Sequence, residues 1–139
     1  MISSIRPEFD TDLFRKGLQI RREVVGDAYV EKSLASADDF TAPLQKLITE
    51  WCWGEVWSRE GLGRKTRSFL NLGMLVALNR PHELKLHVLG ALNNGVTPDE
   101  IREVVLQAAI YCGAPAALDA MRVVTDVIRS QSVKTDANG

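Results

Sequence analysis

Residues 84–105, LKLHVLGALNNGVTPDEIREVV, decide the fold because they contain the end of one helix and the start of the next. Asn93-Asn94-Gly95 is typical of a helix end, where glycine adopts the left-handed backbone conformation. Thr97 begins a capping box with Glu100, and Pro98 suits the first helical position. This stretch predicts a helix–turn–helix corner. One of only two histidines, His87, lies on the apolar stripe of its first helix.

Outward from this corner, the chain has helical periodicity and no convincing strand alternation. We predict an all-α fold of about six helices, in one domain over residues 1–139 with a core over about 9–129. The predicted helices run from about Asp12 to Gly26, from Asp38 or Thr41 to about Gly61, over Arg64–Asn79, Pro81–Asn93 and Pro98–Cys112, and from about Pro115 to Ile128.

The remaining segments are predicted to be irregular. Residues 1–7 suggest a loose N-terminal arm, residues 33–37 a loop, and residues 130–139 a polar, frayed tail. The run from Gly26 to Val30 either continues the first helix or breaks it.

Composition and charge exclude several functional classes. The net charge of −1 gives no reason to expect a nucleic-acid partner, and no apolar run is long enough for a membrane span. We therefore expect a cytoplasmic protein. Cys52 and Cys112 are sixty positions apart and lie among apolar residues, so we expect buried free thiols. With two histidines and separated cysteines, we expect no protein-ligated metal.

His87 is the first candidate for chemistry, because imidazole titrates near neutral pH and suits proton transfer. The alternative is a core histidine bonded to a carbonyl group, and the residues alone favour that alternative.

Arg64, Arg67 and Asn71 form one polar stripe on a helix that is otherwise apolar almost all round. Guanidinium groups match carboxylates, so the two arginines are candidates for binding an anionic ligand. The alternative is a solvated helix face, or ion pairs with Glu50, Glu55 or Glu103.

Leu44, Leu47, Ile48, Trp51 and Cys52 follow helical spacing and predict the inward face of the second helix, with Glu55 on the same stripe. Glu55 is therefore either an ion-pair partner or a carboxyl group with a raised pKa that serves as an acid or base.

Trp53 and Trp57 lie on another face of that helix. They are candidates for a pocket wall that contacts a substrate. The alternative is a place in the core or in a subunit interface.

Several motifs, in order, resemble the carboxymuconolactone decarboxylase family, and together they cover about residues 15–128. They are RREVVGDAYV at 21–30, WCWGEVW at 51–57, LHV at 86–88, ALNNGVT at 91–97 and AIYCGAPAA at 109–117. The wider family includes alkylhydroperoxidase D-like proteins, which carry a CxxC four residues before a histidine. Placing that histidine on His87 puts Arg80 and Glu83 at the cysteine positions, so the decarboxylase branch is favoured.

This resemblance implies a helical subunit in a ring-like homo-oligomer, a hexamer or a trimer. It implies a carboxy-lyase of the β-ketoadipate (protocatechuate) pathway, which converts 4-carboxymuconolactone to 3-oxoadipate enol-lactone and CO2 without cofactor or metal. His87 would return the proton, with Glu55 as second choice. Arg64 and Arg67 would hold the dicarboxylate lactone against Trp53 and Trp57. Alternatives are a thiol antioxidant protein of the alkylhydroperoxidase D type and a non-catalytic helical oligomer.

Overall fold

A computed structural model of the chain describes residues 6–139, and every regular element in that range is helical. The α-helices are α1 (Asp12–Val25), α2 (Asp27–Ala35), α3 (Ala42–Leu47), α4 (Arg64–Ala77), α5 (Pro81–Asn93), α6 (Pro98–Cys112) and α7 (Ala114–Ala137). A 3-10 turn spans Pro7–Phe9, and a π-helical segment, Ile48–Val56, follows α3 directly. The all-α prediction is confirmed, with seven α-helices in this range instead of about six. The N-terminal arm falls mostly on residues 1–5, outside the described residues.

The described chain divides into two compact units, one ending at Leu62 and the other beginning at Gly63. The single domain with a core over about 9–129 stays a prediction. Among the described residues, none of the helices combines the length and apolar character needed to cross a membrane.

In the first unit, α1 packs on the π-helical segment with the two backbones close together. A Cβ atom at Gly17 would lie 1.8 Å from the carbonyl oxygen of Thr49, and one at Gly54 would lie 2.8 Å from that of Leu13. Only glycine allows so close an approach. The helix break at Gly26, which has φ of 92°, settles the alternatives for 26–30 in favour of two helices.

The π-helical segment buries a different face from the one that its apolar spacing predicts. Its buried residues are Thr49, Glu50, Trp53 and Gly54, with Trp57 just beyond its end. The predicted inward residues Leu44, Leu47, Trp51 and Cys52 are exposed. The prediction was wrong because the contact between α1 and this segment is made by glycine backbones, so the apolar stripe is turned outward.

The second unit contains α4 to α7 around one apolar core. Leu72, Val76, Leu84, Val88 and Ile101 are among its buried members. The predicted corner is confirmed: α5 ends at Asn93, Gly95 has φ of 88°, and both bonds of the Thr97–Glu100 capping box are present.

Three further sequence predictions were wrong. The predicted loop at 33–37 is helical as far as Ala35, because α2 begins just after Gly26 and continues for nine residues. The predicted frayed tail is helical to Ala137, since α7 extends beyond the apolar positions that marked its predicted end. Cys52 and Cys112 are exposed free thiols rather than buried ones.

Candidate active site

His87 lies on α5 in the second unit, partly buried, and its ring contacts a side chain of α4. The Nδ1 atom of His87 is 3.3 Å from the Nδ2 atom of Asn71. Burial lowers the pKa of His87 below its ordinary value of 6.5, and the carboxylate of Glu83 opposes that shift. The imidazole is therefore neutral near pH 7 and is tied to the polar stripe that the sequence identified on α4.

That stripe consists of Arg64, Arg67 and Asn71, and all three side chains are partly buried. The three glutamates that the sequence named as alternative partners of the two arginines each pair with another cation. Lys46 pairs with Glu50 at 2.7 Å, Arg59 with Glu55 at 3.8 Å, and Arg102 with Glu103 at 3.9 Å. Residues one turn apart on a helix are neighbours, so Arg67 and Asn71 lie on the same patch of α4.

Two polar residues in this region escaped the sequence analysis. Ser68 is 1% exposed on α4, and Asn94 donates a 2.9 Å hydrogen bond from its Nδ2 atom to the Ser68 hydroxyl oxygen. The sequence identified Asn94 only as part of a helix end. The available signal was a hydroxyl-bearing residue beside Arg67 on an otherwise apolar helix. This bond joins the end of α5 to the same part of α4 that carries Asn71.

Trp53, Trp57 and Glu55 belong to the first unit. The two tryptophans are 4% and 6% exposed, and their rings stack with centroids 4.9 Å apart. Glu55 is 49% exposed and pairs with Arg59, which is the first of the two roles that the sequence left open. Substrate contacts of the tryptophans and an acid–base role for Glu55 stay predictions.

The first unit also contains a buried cation that sequence reasoning passed over. Arg21 is 5% exposed, and its Nη1 atom donates to Gln45 Oε1 and to Thr49 Oγ1, both at 3.1 Å. Its guanidinium carbon lies 5.9 Å from the centre of the Tyr29 ring. Burial lowers the pKa of Arg21. These neutral partners connect α1, α2, α3 and the π-helical segment around one charge.

The second unit also has a cleft that is lined by other residues. Its lining includes Leu75, Leu84 and Ala116 with the polar residues Arg80 and Asp119, and it contains none of the predicted site residues. Over residues 6–139, no group of three or more His, Cys, Asp or Glu side chains has the geometry to hold a metal ion.

Comparison with known proteins places this geometry in context. The model of the carboxymuconolactone decarboxylase family matches residues 42–126. A nitrosuccinic acid decarboxylase of Metarhizium robertsii is 51% identical over 121 residues, which are 87% of this chain and 85% of that protein. The 4-carboxymuconolactone decarboxylase of Acinetobacter baylyi is 40% identical over 124 residues, which are 89% of this chain and 92% of that protein. The matched range includes His87 and both arginines of the α4 stripe.

Proposed function

We propose that this chain, which belongs to the carboxymuconolactone decarboxylase family, removes CO2 from a small dicarboxylic acid. The observation that carries the proposal is the contact between His87 and Asn71 beside the arginines of α4. It connects a neutral titratable group to the helix stripe that also carries Arg64 and Arg67, whose guanidinium groups suit a carboxylate substrate.

The acids in the names of the two relatives share a chemical pattern. In nitrosuccinic acid and in 4-carboxymuconolactone, one carbon carries both a carboxylate and a CH2–COO⁻ arm. That carbon is also attached to an electron acceptor, a nitro group in the first acid and an unsaturated lactone in the second. When the carboxylate leaves as CO2, its bonding electrons move into the acceptor and give a nitronate or a dienolate. One proton then adds to carbon, so each turnover consumes one proton.

This reaction needs a cation for the retained carboxylate, a hydrogen-bond donor for the acceptor oxygen and a proton donor for carbon. The second unit contains a candidate for each. Arg64 and Arg67 are suited to hold the retained carboxylate arm by paired hydrogen bonds. A donor near the acceptor oxygen lowers the barrier, because charge develops there during CO2 loss. His87 is our first choice for the donor and for the return of the proton, and Glu55 is the second. Because the His87 imidazole is neutral, it takes up one proton from water in each turnover and passes that proton to carbon. Because Glu55 is half exposed and paired with Arg59, the preference for His87 is strengthened.

The two stacked tryptophans are proposed as an apolar wall. A carboxylate leaves more readily as neutral CO2 where water does not solvate its charge. In this proposal Trp53 and Trp57 favour departure of CO2 and do not hold the retained arm.

We propose 4-carboxymuconolactone as the substrate, which would place the protein in protocatechuate breakdown. Nitrosuccinic acid is the second candidate, because the relative with that acid in its name is 51% identical to this chain. Purified protein, with no added cofactor, is incubated with each acid while CO2 and product are followed. Release of CO2 from either acid, lowered about a hundredfold or more in His87→Ala, supports the decarboxylase proposal, and the ratio of the two kcat/KM values identifies the substrate. No release from either acid contradicts it and favours a non-catalytic role.

A thiol antioxidant role is the remaining alternative, because Cys52 and Cys112 are exposed and free. Protein carrying both Cys52→Ser and Cys112→Ser tests it. Full decarboxylase activity with no peroxide reduction in either protein would exclude thiol chemistry.

We also propose that the chain assembles with itself as a hexamer or a trimer. Large apolar side chains are exposed in both units, including Leu44, Leu47, Trp51 and Val56 in the first and Leu70, Met74, Leu78, Ile110 and Tyr111 in the second. Exposed large apolar side chains favour association where they lie together on a surface. Native mass spectrometry should give three or six chains, and a monomer at micromolar concentration would contradict the proposal.

A further inference from the structure

We propose that Asn71 is a positioning residue that holds the neutral imidazole of His87 in the tautomer protonated on Nε2. The inference deepens the proposed function, since it rests on the role given to His87 there. It assigns to Asn71 a task that neither the motifs nor the relatives give it.

The direction of the hydrogen bond follows from the atoms that meet. The Asn71 nitrogen lies 3.3 Å from Nδ1 of His87. An amide –NH2 group has two N–H donors and accepts nothing, so this contact is a hydrogen bond only if Nδ1 supplies its lone pair. A neutral imidazole carries one proton, and that proton is then on Nε2. The second nitrogen of His87 becomes an N–H donor.

The surroundings hold both partners in place. Asn94 donates to the buried hydroxyl of Ser68, and this second hydrogen bond joins α5 to α4. Ser68 and Asn71 are three residues apart on α4, so they lie on neighbouring turns of one face. Leu72 of α4 and Val88 of α5 are buried in the shared core directly beside Asn71 and His87 in sequence. The two helices therefore present the amide to the ring from a fixed distance.

The tautomer decides what His87 offers to a reacting molecule. Burial keeps the imidazole neutral, and Glu83 on α5 is the charged group whose field favours its protonation. From α4, the partly buried Arg67 lies one turn from Asn71. A neutral imidazole with a proton on Nε2 donates a hydrogen bond without first gaining a charge. Such a donor suits the oxygen atoms of a nitronate or a dienolate, on which negative charge develops during CO2 loss.

The test reads the tautomer directly by nitrogen NMR of the full-length chain at pH 7.5, with the imidazole nitrogens labelled. The chain has only two histidines, so the variant His82→Gln assigns the signals of His87. We expect Nδ1 of His87 to give the signal of an unprotonated ring nitrogen and Nε2 that of a protonated one. The opposite pattern in the unaltered protein would overturn the proposal, whatever the enzyme does to either acid.

Asn71→Asp is the sharpest variant because it keeps the shape and reverses the hydrogen bond. A carboxylate only accepts, so Nδ1 must then carry a proton. We expect the NMR pattern of His87 to invert, or the ring to become doubly protonated with a raised pKa. An unchanged pattern in folded Asn71→Asp would overturn the proposal. If this variant does not fold, the pattern in the unaltered protein still decides.

Asn71→Leu, which removes the donor and keeps the branched shape of the side chain, tests the consequence for catalysis. We expect kcat to fall by about tenfold, the cost of one lost hydrogen bond to the reacting group, with KM changed less than threefold. Unchanged kcat with the predicted tautomer would overturn the assignment of Asn71 to catalysis. The predicted tautomer together with no turnover of either acid by the unaltered protein would instead contradict the proposed function.

Discussion

The π-helical segment and α5 are similar in sequence pattern and different in structure. Each shows apolar residues at helical spacing with a titratable side chain predicted on the apolar stripe, Glu55 in the first and His87 in the second. In α5, the apolar positions Leu84 and Val88 are buried as the spacing predicts. In the π-helical segment, the apolar stripe faces outward and Glu55 with it. The rule that apolar residues at helical spacing face the core was therefore correct for α5 and wrong for the π-helical segment.

The cause of the difference is the kind of contact that each helix makes. In α5, the core is filled by branched side chains, and their spacing identifies the inward face. The π-helical segment meets α1 through Gly17 and Gly54, so backbone approaches backbone. The polar residues Thr49 and Glu50 then lie inside, where Arg21, Lys46 and Thr11 satisfy them. Hydrophobic periodicity predicts a buried face only where side chains, rather than backbones, make the contact.

Substituting His87 and Glu55 one at a time is the strongest test of this comparison. His87→Ala should lower kcat/KM by about 10² to 10⁴, the usual contribution of a positioned acid or base. Glu55→Gln should change it by less than about threefold, because Glu55 is half exposed and its partner is Arg59. Steady-state kinetics on the two candidate acids measures both effects, with circular dichroism as the control for folding.

The reverse result would transfer the chemistry to the first unit. A large loss in Glu55→Gln with an active His87→Ala would make Glu55 the proton donor. His87→Gln refines the result, since glutamine keeps an N–H donor but does not exchange a proton near neutral pH. If it retains more activity than His87→Ala, hydrogen-bond donation accounts for part of the role of His87.

The backbone contact in the first unit is tested by adding one methyl group. Gly17→Ala places a Cβ atom 1.8 Å from the Thr49 carbonyl oxygen, so α1 and the π-helical segment must separate. We expect the free energy of unfolding to fall by about 3 kcal/mol or more, as in severe overpacking. Gly73→Ala on α4 is the matched control, because nothing lies within 4 Å of its Cβ position. It should stabilise the helix by about 0.5 to 1 kcal/mol.

Urea unfolding of the two variants gives both numbers. Equal stability of Gly17→Ala and the unaltered protein would mean that the close approach of α1 is not needed for the fold.

The sequence predicted the second unit better than the first, for local reasons. The corner between α5 and α6 is specified by residues within a few positions, such as Gly95 and the Thr97–Glu100 box, so it was predicted residue by residue. The hydrogen bond between Ser68 and Asn94 joins residues 26 positions apart, and no local pattern indicates that they meet.

The difference between local and long-range contacts also explains which features of the candidate site could be predicted from the sequence. The polar stripe on α4 and the place of His87 on α5 both follow from helical spacing within one element. That Asn71 meets the ring depends on the relative rotation of two helices, which spacing alone does not determine. The outward turn of the π-helical segment depends on a contact with α1, more than thirty residues away in sequence.

Trp53 and Trp51 of the first unit allow a buried and an exposed position to be compared with one type of side chain. Trp53→Leu should cost about 2 to 4 kcal/mol, because Trp53 is buried and stacked on Trp57, and the smaller residue leaves a cavity. Trp51→Leu, two positions earlier and 55% exposed in the single chain, should cost less than about 0.5 kcal/mol when the protein is dilute enough to keep the chains apart. Thermal and urea unfolding of the dilute protein compare the two. Equal losses there would mean that Trp51 is buried within the single chain, as the apolar spacing predicts.

The smallest expected effect is the pH dependence that burial of His87 gives to stability. Its pKa is lowered in the folded state, and in the unfolded state it titrates near 6.5. As the pH falls below 6.5, His87 of the unfolded chain binds a proton that His87 of the folded chain does not yet bind, so the free energy of unfolding falls. The contribution is fully present above pH 6.5 and declines as the pH falls towards the folded pKa.

In His87→Gln, urea unfolding at pH 7.5 and pH 5.5 should therefore give a smaller difference in the free energy of unfolding than in the unaltered protein. Glu83→Gln should enlarge it, because that carboxylate is the group that favours protonation of His87 from its own helix. If the pH dependence is the same in His87→Gln and the unaltered protein, folding does not remove the imidazole of His87 from water.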